Sequence, residues 1–324
     1  MEIKNINITQ KDLGKRIDIF LKEKCEDISR NKLSNLIKSN KVKLESKIIN
    51  DPAYLIKKET QATVYIETKD NITIDNKKKE LDIIFEDECI VVINKKSGVL
   101  SHLNKEKNSN NNYNVVSSLK RKKINLYNSE NPSRDGIVHR LDKDTTGLMV
   151  LAKNAISYES LVRQFFERQV HKLYIALCWS VPLPLAGKID KPISDYLNRK
   201  KARVQNIGKS AITEYIVKKN YNNTFSRVEC KILTGRTHQI RVHMQSIKCP
   251  LIGDQLYSRD RNISKEYSNQ LSSILNRFNR QALHAKELSF EHPQNKKKIF
   301  FSCDMPDDMV KLETILSEEM LKDN

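Results

Sequence analysis

Paired cysteines, long apolar runs, aromatic residues and nucleotide-binding fingerprints are all scarce or missing in this sequence of 324 residues. The six cysteines are scattered, and none forms a C-x-x-C pair, which argues against a zinc site and against a disulfide framework. They read as small buried apolar side chains in a reducing compartment. The apolar runs, such as Cys89 to Ile93, fall far short of the roughly 18 residues a membrane-spanning helix needs. The first residues, Met1-Glu-Ile-Lys-Asn5, lack the apolar core of a secretory signal. The expectation is a soluble, cytoplasmic protein with no membrane partner. Aromatics make up 6%, with Trp179 the single tryptophan. No phosphate loop, dinucleotide fingerprint or metal-ligand cluster stands out, so neither a cofactor nor a metal is expected. What is abundant is positive charge. The net charge of +18 favours polyanionic partners, nucleic acid first. Most of that surplus lies beyond residue 75.

The patterning predicts a small N-terminal domain over residues 1–74, a polar linker over 75–80 and a larger domain over 81–324. In the first, Ile17, Phe20 and Leu21 recur at helical spacing, as do Leu33, Leu36 and Ile37. Ser29 is placed to cap the second helix, with Ile28 and Leu33 as a hydrophobic staple. Val42–Leu44, Ile48–Ile49 and Ala62–Ile66 then read as short strands. Two helices followed by a hairpin sheet resemble the alpha-L RNA-binding module first described in a small-subunit ribosomal protein. The resemblance implies that the second helix and the turn after it face RNA, through Arg30, Lys32, Lys38, Lys41 and Lys43.

The larger domain opens with a hairpin over Leu81–Asn94, and an asparagine-rich loop covers Asn104 to Asn114. Strands are expected at 148–151, 172–179, 211–217, 225–233, 285–290 and 298–302. Helices are expected at 155–170, at 238–247 and from about Pro306. Strands dominate without regular alternation with helices. The fold class is therefore α+β, built on a mixed, largely antiparallel sheet.

One stretch packs polar chemistry between apolar runs: Gly136-Ile-Val-His-Arg-Leu-Asp-Lys-Asp-Thr-Thr-Gly147. Flanking glycines let the backbone turn sharply, and polar loops held between core strands commonly carry catalytic groups. Asp142-x-Asp144-Thr145 resembles the phosphotransfer motif of the haloacid-dehalogenase type, in which two aspartates share magnesium. Two features oppose that reading. His139-Arg140 interrupts the apolar strand that should precede the motif, and the sole later aspartate pair, Asp307-Asp308, falls near the terminal helix.

A second reading absorbs more of the chain. His139-Arg-Leu-Asp-Lys-Asp-Thr-Thr-Gly147 resembles the signature of the pseudouridine synthases that modify ribosomal and transfer RNA. Three further segments agree, in the family's order: Asn94-Lys-Lys-Ser-Gly-Val-Leu-Ser-His102, Arg168-Gln-Val-His-Lys-Leu-Tyr-Ile-Ala-Leu177, and Leu233-Thr-Gly-Arg-Thr-His-Gln-Ile-Arg-Val-His243 with Pro250-Leu-Ile-Gly-Asp254. Within the family the likeness is nearest to the large-subunit ribosomal RNA group acting at the intersubunit-bridge stem-loop, carried by Gly136–Val150 and Phe278–Ala285. The resemblance implies ribosomal RNA of the large subunit as partner, with pre-ribosomal particles as a further one, and a cofactor-free isomerisation. It implies Asp142 as the catalytic carboxylate, acting on the anomeric carbon or on a ribose proton. It also implies Arg236 as the cation paired with Asp142, Tyr174 as the ring stacked on uracil, and Arg140 as the residue filling the space a flipped base leaves. His139, His238 and His243 read as structural hydrogen bonders or RNA contacts; His238 and His243 are five apart and do not share a helix face as a metal pair would. The chain departs from the family at Lys96 and Leu103, where proline is usual, and most of all over Asn104–Asn114. A non-catalytic RNA-binding protein of the same fold is the remaining alternative.

Overall fold

The computed structural model describes residues 2–25, 30–45, 47–66, 81–102, 113–129, 131–195, 201–258 and 267–322. The chain divides into two units, Met1–Asn76 and Lys77–Asn324. The expected linker at 75–80, the Ser29 cap with its Ile28 staple, and most of the asparagine-rich loop lie outside the described residues.

In the first unit, α1 (Ile17–Lys24) and α2 (Arg30–Lys38) pack on a sheet of β1 (Glu2–Ile8), β2 (Val42–Leu44), β3 (Lys47–Ile48) and β4 (Thr60–Ile66). The sheet order is β1-β4-β2-β3, antiparallel throughout. Ile17, Phe20 and Leu21 of α1 meet Leu33 and Ile37 of α2 over Val42 and Val64, all fully buried. Burying each such side chain contributes about 1.5–3 kcal/mol before chain entropy is charged against it. The sequence pattern did not mark β1. It is an edge strand whose burial alternates, but Ile3 lies on the exposed face, 52% exposed, and Lys4 on the half-buried one, so hydrophobicity does not follow burial.

The second unit is organised by one nine-stranded sheet. In chain order its elements are β5 (Asp82–Glu86), β6 (Ile90–Lys95), α3 (Val115–Arg121), β7 (Thr146–Ala152), α4 (Ala155–Phe166), β8 (His171–Trp179), β9 (Ala186–Asp190), β10 (Ile193–Asp195), β11 (Ala202–Val204), β12 (Ile212–Tyr221), β13 (Phe225–Ile232), α5 (Gln239–Ser246), α6 (Asn269–Arg277), β14 (Leu283–Glu291), β15 (Lys298–Ser302) and α7 (Asp307–Lys322). The sheet runs β5-β6-β7-β14-β8-β13-β12-β9, with β15 also on β14, while β10 and β11 form a separate hairpin. Among the described residues of this sheet only β7 and β14 pair in parallel; the other pairings are antiparallel. The α+β class with a mixed, largely antiparallel sheet is therefore what the structure has. Among the described residues no helix is long and apolar enough to cross a membrane, and all six cysteines are free and buried.

Helix α4 ends earlier than the pattern 155–170 implied. Asn154 caps its start by accepting from the Ser157 N–H. It stops at Phe166 because Arg168 adopts a left-handed φ of 62°, which turns the chain into β8. Strand β8 is central and buried on both faces. Tyr174, Ala176 and Cys178 face one core cluster; Ile175, Leu177 and Trp179 face another.

The parallel contact of β7 with β14 depends on Gly147. Its φ is +110°, and a Cβ there would lie 2.2 Å from the Ala285 carbonyl oxygen. Gly147→Ala is expected to lower stability by about 2–4 kcal/mol, since both strain and backbone displacement add. Equilibrium denaturation measures it, and a loss below about 0.5 kcal/mol, the range of an ordinary surface change, contradicts this packing.

Candidate active site

The polar loop before β7 is held by other segments rather than by its own structure. The Ser101 hydroxyl donates to the Leu141 carbonyl (2.8 Å) and accepts from the Leu141 N–H (3.2 Å). Lys95, fully buried at the end of β6, donates to the carbonyls of Lys96 (3.0 Å), Val99 (2.9 Å) and Lys143 (2.9 Å). Burial pulls its ammonium down to about 7, against the opposing charges of Asp144 and Asp142. From the other side, the Arg280 guanidinium donates to the Asp144 carbonyl (3.3 Å) and the Gln281 amide to the Thr145 hydroxyl (3.1 Å). The Thr145 N–H closes the turn on the Asp142 carbonyl (3.1 Å). The result fixes the Asp142 backbone while its carboxylate points into a cleft of about 100 Å³.

Helix α5 supplies the cation opposite. Arg241 Nη1 donates to Asp142 Oδ2 at 2.9 Å. The same guanidinium grips Asp254 in a two-point pair, Nε to Oδ2 at 2.7 Å and Nη2 to Oδ1 at 2.9 Å. Asp254 is completely buried and accepts two further bonds, from the Leu256 and Tyr257 N–H groups. Burial alone would lower the Arg241 pKa; the bond and charge of Asp254, with Asp142, outweigh it and hold it above the ordinary value. The planar fork suits this two-carboxylate arrangement, which a lysine could not reproduce.

Tyr174 of β8 and Arg140 line the same cleft as Asp142, together with Arg236, His238 and Leu283. Burial, and secondarily the Asp142 charge, push the Tyr174 phenol above its ordinary range, so it stays neutral. Arg140 is exposed at the rim. One expectation needs correction, and that for His139, a structural hydrogen bonder or an RNA contact, is narrowed to the first. Arg236 does not pair with Asp142: it precedes α5, is exposed, and its Nε donates to the Ser210 carbonyl at 3.0 Å. The partner is Arg241, on the first turns of a helix whose residues Gln239–Met244 are all buried. His139 does not line the cleft. Its Nε2 accepts from the Val150 N–H (3.1 Å) and its ring stacks on Phe165 at 4.6 Å, so its polar edge is used in packing. His243 is likewise structural, bonded to Thr213 (2.9 Å) and the Lys191 carbonyl (3.0 Å). In the N-terminal unit Lys38 is exposed at the end of α2 and Lys43 lies over the Tyr65 ring at 5.4 Å. Lys41 is half-buried, and the side chains of Arg30 and Lys32 lie outside the described residues.

Among the described residues, Asp142 and Asp144 join no cluster of three ligating side chains; one such trio, Asp87, Cys89 and His292, stands elsewhere. There the Gln294 and Asn295 N–H groups donate to His292 Nδ1, leaving Nε2–H to donate to Asp87 (2.7 Å). A metal on Nε2 would force a hydrogen onto Nδ1 against two N–H donors, so this trio is read as a hairpin clasp.

Buried histidines give the stability a sign with pH. Burial holds His139 at about 3, and His102 and His284 at about 4, all below the ordinary 6.5. The unfolded chain therefore takes up protons first as pH falls. Stability is full above about 6.5 and is lost between 6.5 and 4, at up to about 1.4 kcal/mol per pH unit for each histidine. Thermal unfolding at pH 7 and pH 5 checks this, and a flat melting temperature contradicts it.

Comparisons with known proteins bear on the chain as a whole. A family model described as RNA pseudouridylate synthase matches residues 89–246. The ribosomal large subunit pseudouridine synthase D of Haemophilus influenzae is 34% identical over 320 residues, 97% of this chain and 95% of the relative. Its namesake in Zymomonas mobilis is 36% identical over 313 residues, 95% of this chain and 96% of the relative. The solved structure of human RNA pseudouridylate synthase domain containing 4 superposes with a TM-score of 0.56 at 27% identity, covering 73% of this chain and 93% of that one. Human RNA pseudouridylate synthase domain containing 1, at 23% identity and a TM-score of 0.54, shares the fold.

Proposed function

This chain belongs to the RNA pseudouridine synthase family, and from that premise we propose that it isomerises specific uridines of large-subunit ribosomal RNA through the carboxylate of Asp142. The observation that carries the reading is the bridge Asp142–Arg241–Asp254 on the wall of a cleft that also holds Tyr174. A uridine must leave its stack to reach this cleft, at a cost of a few kcal/mol. Arg140, exposed at the rim two residues before Asp142, is suited to fill the gap, since a guanidinium can stack on bases and bind phosphate.

In the cleft the uracil lies against Tyr174 and the sugar against Asp142. Arg241 orients Asp142 by donating to its carboxylate, while Asp254 takes up part of the guanidinium charge. Two carboxylates about one cation leave this trio with a net negative charge. That favours a sugar carbon that becomes electron-poor as the glycosidic bond breaks. Asp142 then acts at the anomeric carbon or on a ribose proton, the uracil turns, and its ring carbon bonds to the sugar. The proton that leaves this ring carbon is matched by the one gained at the ring nitrogen freed from the sugar, and the neutral Tyr174 hydroxyl can only relay it, giving one proton as it takes another. Atoms are rearranged, with none added and no net redox change, so protein groups are sufficient. The N-terminal unit, with Lys38, Lys41 and Lys43, serves as a second RNA contact.

The target reading rests on the names of the relatives, which match over nearly the whole chain. It is narrowed to the intersubunit-bridge stem-loop by the likeness of Gly136–Val150 and Phe278–Ala285 to that group. The test is to incubate the purified protein with an unmodified large-subunit transcript and with that stem-loop alone, then map pseudouridine. Conversion at a small set of uridines is expected. Unconverted RNA of both kinds would overturn the proposal.

A further inference from the structure

His238 was expected to be a structural hydrogen bonder or an RNA contact; its surroundings point to a specific task. Its ring Nδ1 lies 3.0 Å from the Tyr257 hydroxyl. That hydroxyl has one hydrogen, which goes to the Ala202 carbonyl at 3.1 Å, and it accepts from the Ala202 N–H at 2.9 Å. The Tyr257 oxygen is thus left to accept from His238, so Nδ1 carries the imidazole hydrogen. A neutral imidazole has only one N–H, and Nε2 is then a bare lone pair.

That lone pair faces Asp142 Oδ2 at 3.8 Å, beyond hydrogen-bond range. Both atoms are acceptors. Burial keeps the imidazole neutral, outweighing the pull of the Asp142 charge; Arg241 and Arg140 act with burial, and Asp254 with Asp142. The ring is also held at a backbone cost. His238 has φ 55° and ψ 24°, left-handed values uncommon for a residue other than glycine, at the start of α5. A strained residue whose ring is oriented by a buried tyrosine, with an acceptor aimed into a cleft, calls for a donor on the ligand.

The reading of Asp142 as the group acting at the sugar of a flipped uridine decides which donor, and the inference rests on that reading. With the sugar against Asp142, the hydroxyl next to the anomeric carbon is the nearest donor to the same corner. The uracil, with its own N–H, lies toward Tyr174. We propose that His238 Nε2 accepts a hydrogen bond from the 2′-hydroxyl of the target ribose, so that His238 seats the sugar against Asp142 and makes the site discriminate ribose from deoxyribose. The 2′-hydroxyl is the feature by which a protein can distinguish RNA from DNA at a single nucleotide.

The experiment uses two synthetic bridge stem-loops that differ only at the target, uridine or 2′-deoxyuridine. Wild-type protein must first convert the uridine form. If it does not, the functional proposal fails and this inference falls with it. Binding is then measured without turnover, in the Asp142→Asn protein, with and without His238→Asn. Asparagine tolerates a left-handed φ and keeps α5 started. Asp142→Asn is expected to bind the uridine form about tenfold or more tightly than the deoxy form. Adding His238→Asn should weaken the uridine form to the deoxy level and leave the deoxy form unchanged. Equal weakening of both RNAs shows a merely structural role and overturns the proposal, as does a preference that survives His238→Asn or is absent from the start. Tyr257→Phe in the same background, which removes the acceptor for Nδ1–H, should reduce the preference in the same direction.

Discussion

Asp142→Asn is expected to lower pseudouridine formation by at least about a thousandfold, because among the described residues no other carboxylate lines the cleft. In the structure Asp142 is the acidic side chain lining the cleft. Asp254 is sealed behind Arg241 with all its bonds committed and cannot move forward to replace it. Asparagine has the same shape, and Arg241 keeps its two bonds to Asp254 in the variant. Stability should therefore stay within about 1 kcal/mol of wild type, since the side chain is only partly buried and no cation is orphaned. RNA binding should persist for the same reason. Single-turnover assays with unfolding curves separate the outcomes. A variant that keeps more than about a tenth of the rate removes Asp142 from the chemistry.

Arg241→Met is expected to cost both fold and activity, whereas Arg236→Ala is expected to spare the fold. Asp254 is wholly buried, and Arg241 is the cation bonded to it. Truncating that cation leaves a buried carboxylate without a counter-charge, which typically costs about 3–5 kcal/mol. The double variant Arg241→Met with Asp254→Asn should recover much of that stability, since the orphaned charge is gone, yet stay inactive because Asp142 has lost its partner. Arg236, exposed and bonded to one backbone carbonyl, should cost under about 1 kcal/mol. If Arg236→Ala proves the more damaging to both stability and rate, the pairing described here is wrong.

The contrast between these two arginines shows where reading residues alone reached its limit. Both stand in Leu233–His243, both are basic, and spacing does not rank them. What ranks them is the left-handed turn at His238, which starts α5 and sends Arg241 inward while Arg236 stays on the approach. Asp254 sat in a quoted segment without a role because its partner is thirteen residues away, across a turn at Gly253 where φ is +72°. Lys95 stood in the Asn94–His102 segment with no role of its own, yet it is buried and ties down the Asp142 loop from 48 residues away. By contrast, the Asp142 loop itself was legible, since a dense polar stretch between apolar strands has few other uses. Most strands of the larger unit were legible as well, from their β-branched runs, and so was the α+β class, whereas the short strands β9, β10 and β11 were not. Strand β1 was not, because Ile3 sits on its exposed face and Lys4 on its half-buried one, so the apolar residues do not alternate with burial.

The central claim is that Asp142, held by Arg241, converts uridine to pseudouridine in large-subunit ribosomal RNA. The most direct test is a pseudouridine map of that RNA from cells lacking the gene, carrying either the wild-type protein or Asp142→Asn at equal abundance. The account predicts that a small set of sites disappears without the gene, returns with wild type and stays absent with Asp142→Asn. Sites that return with Asp142→Asn, or maps identical with and without the gene, would contradict it.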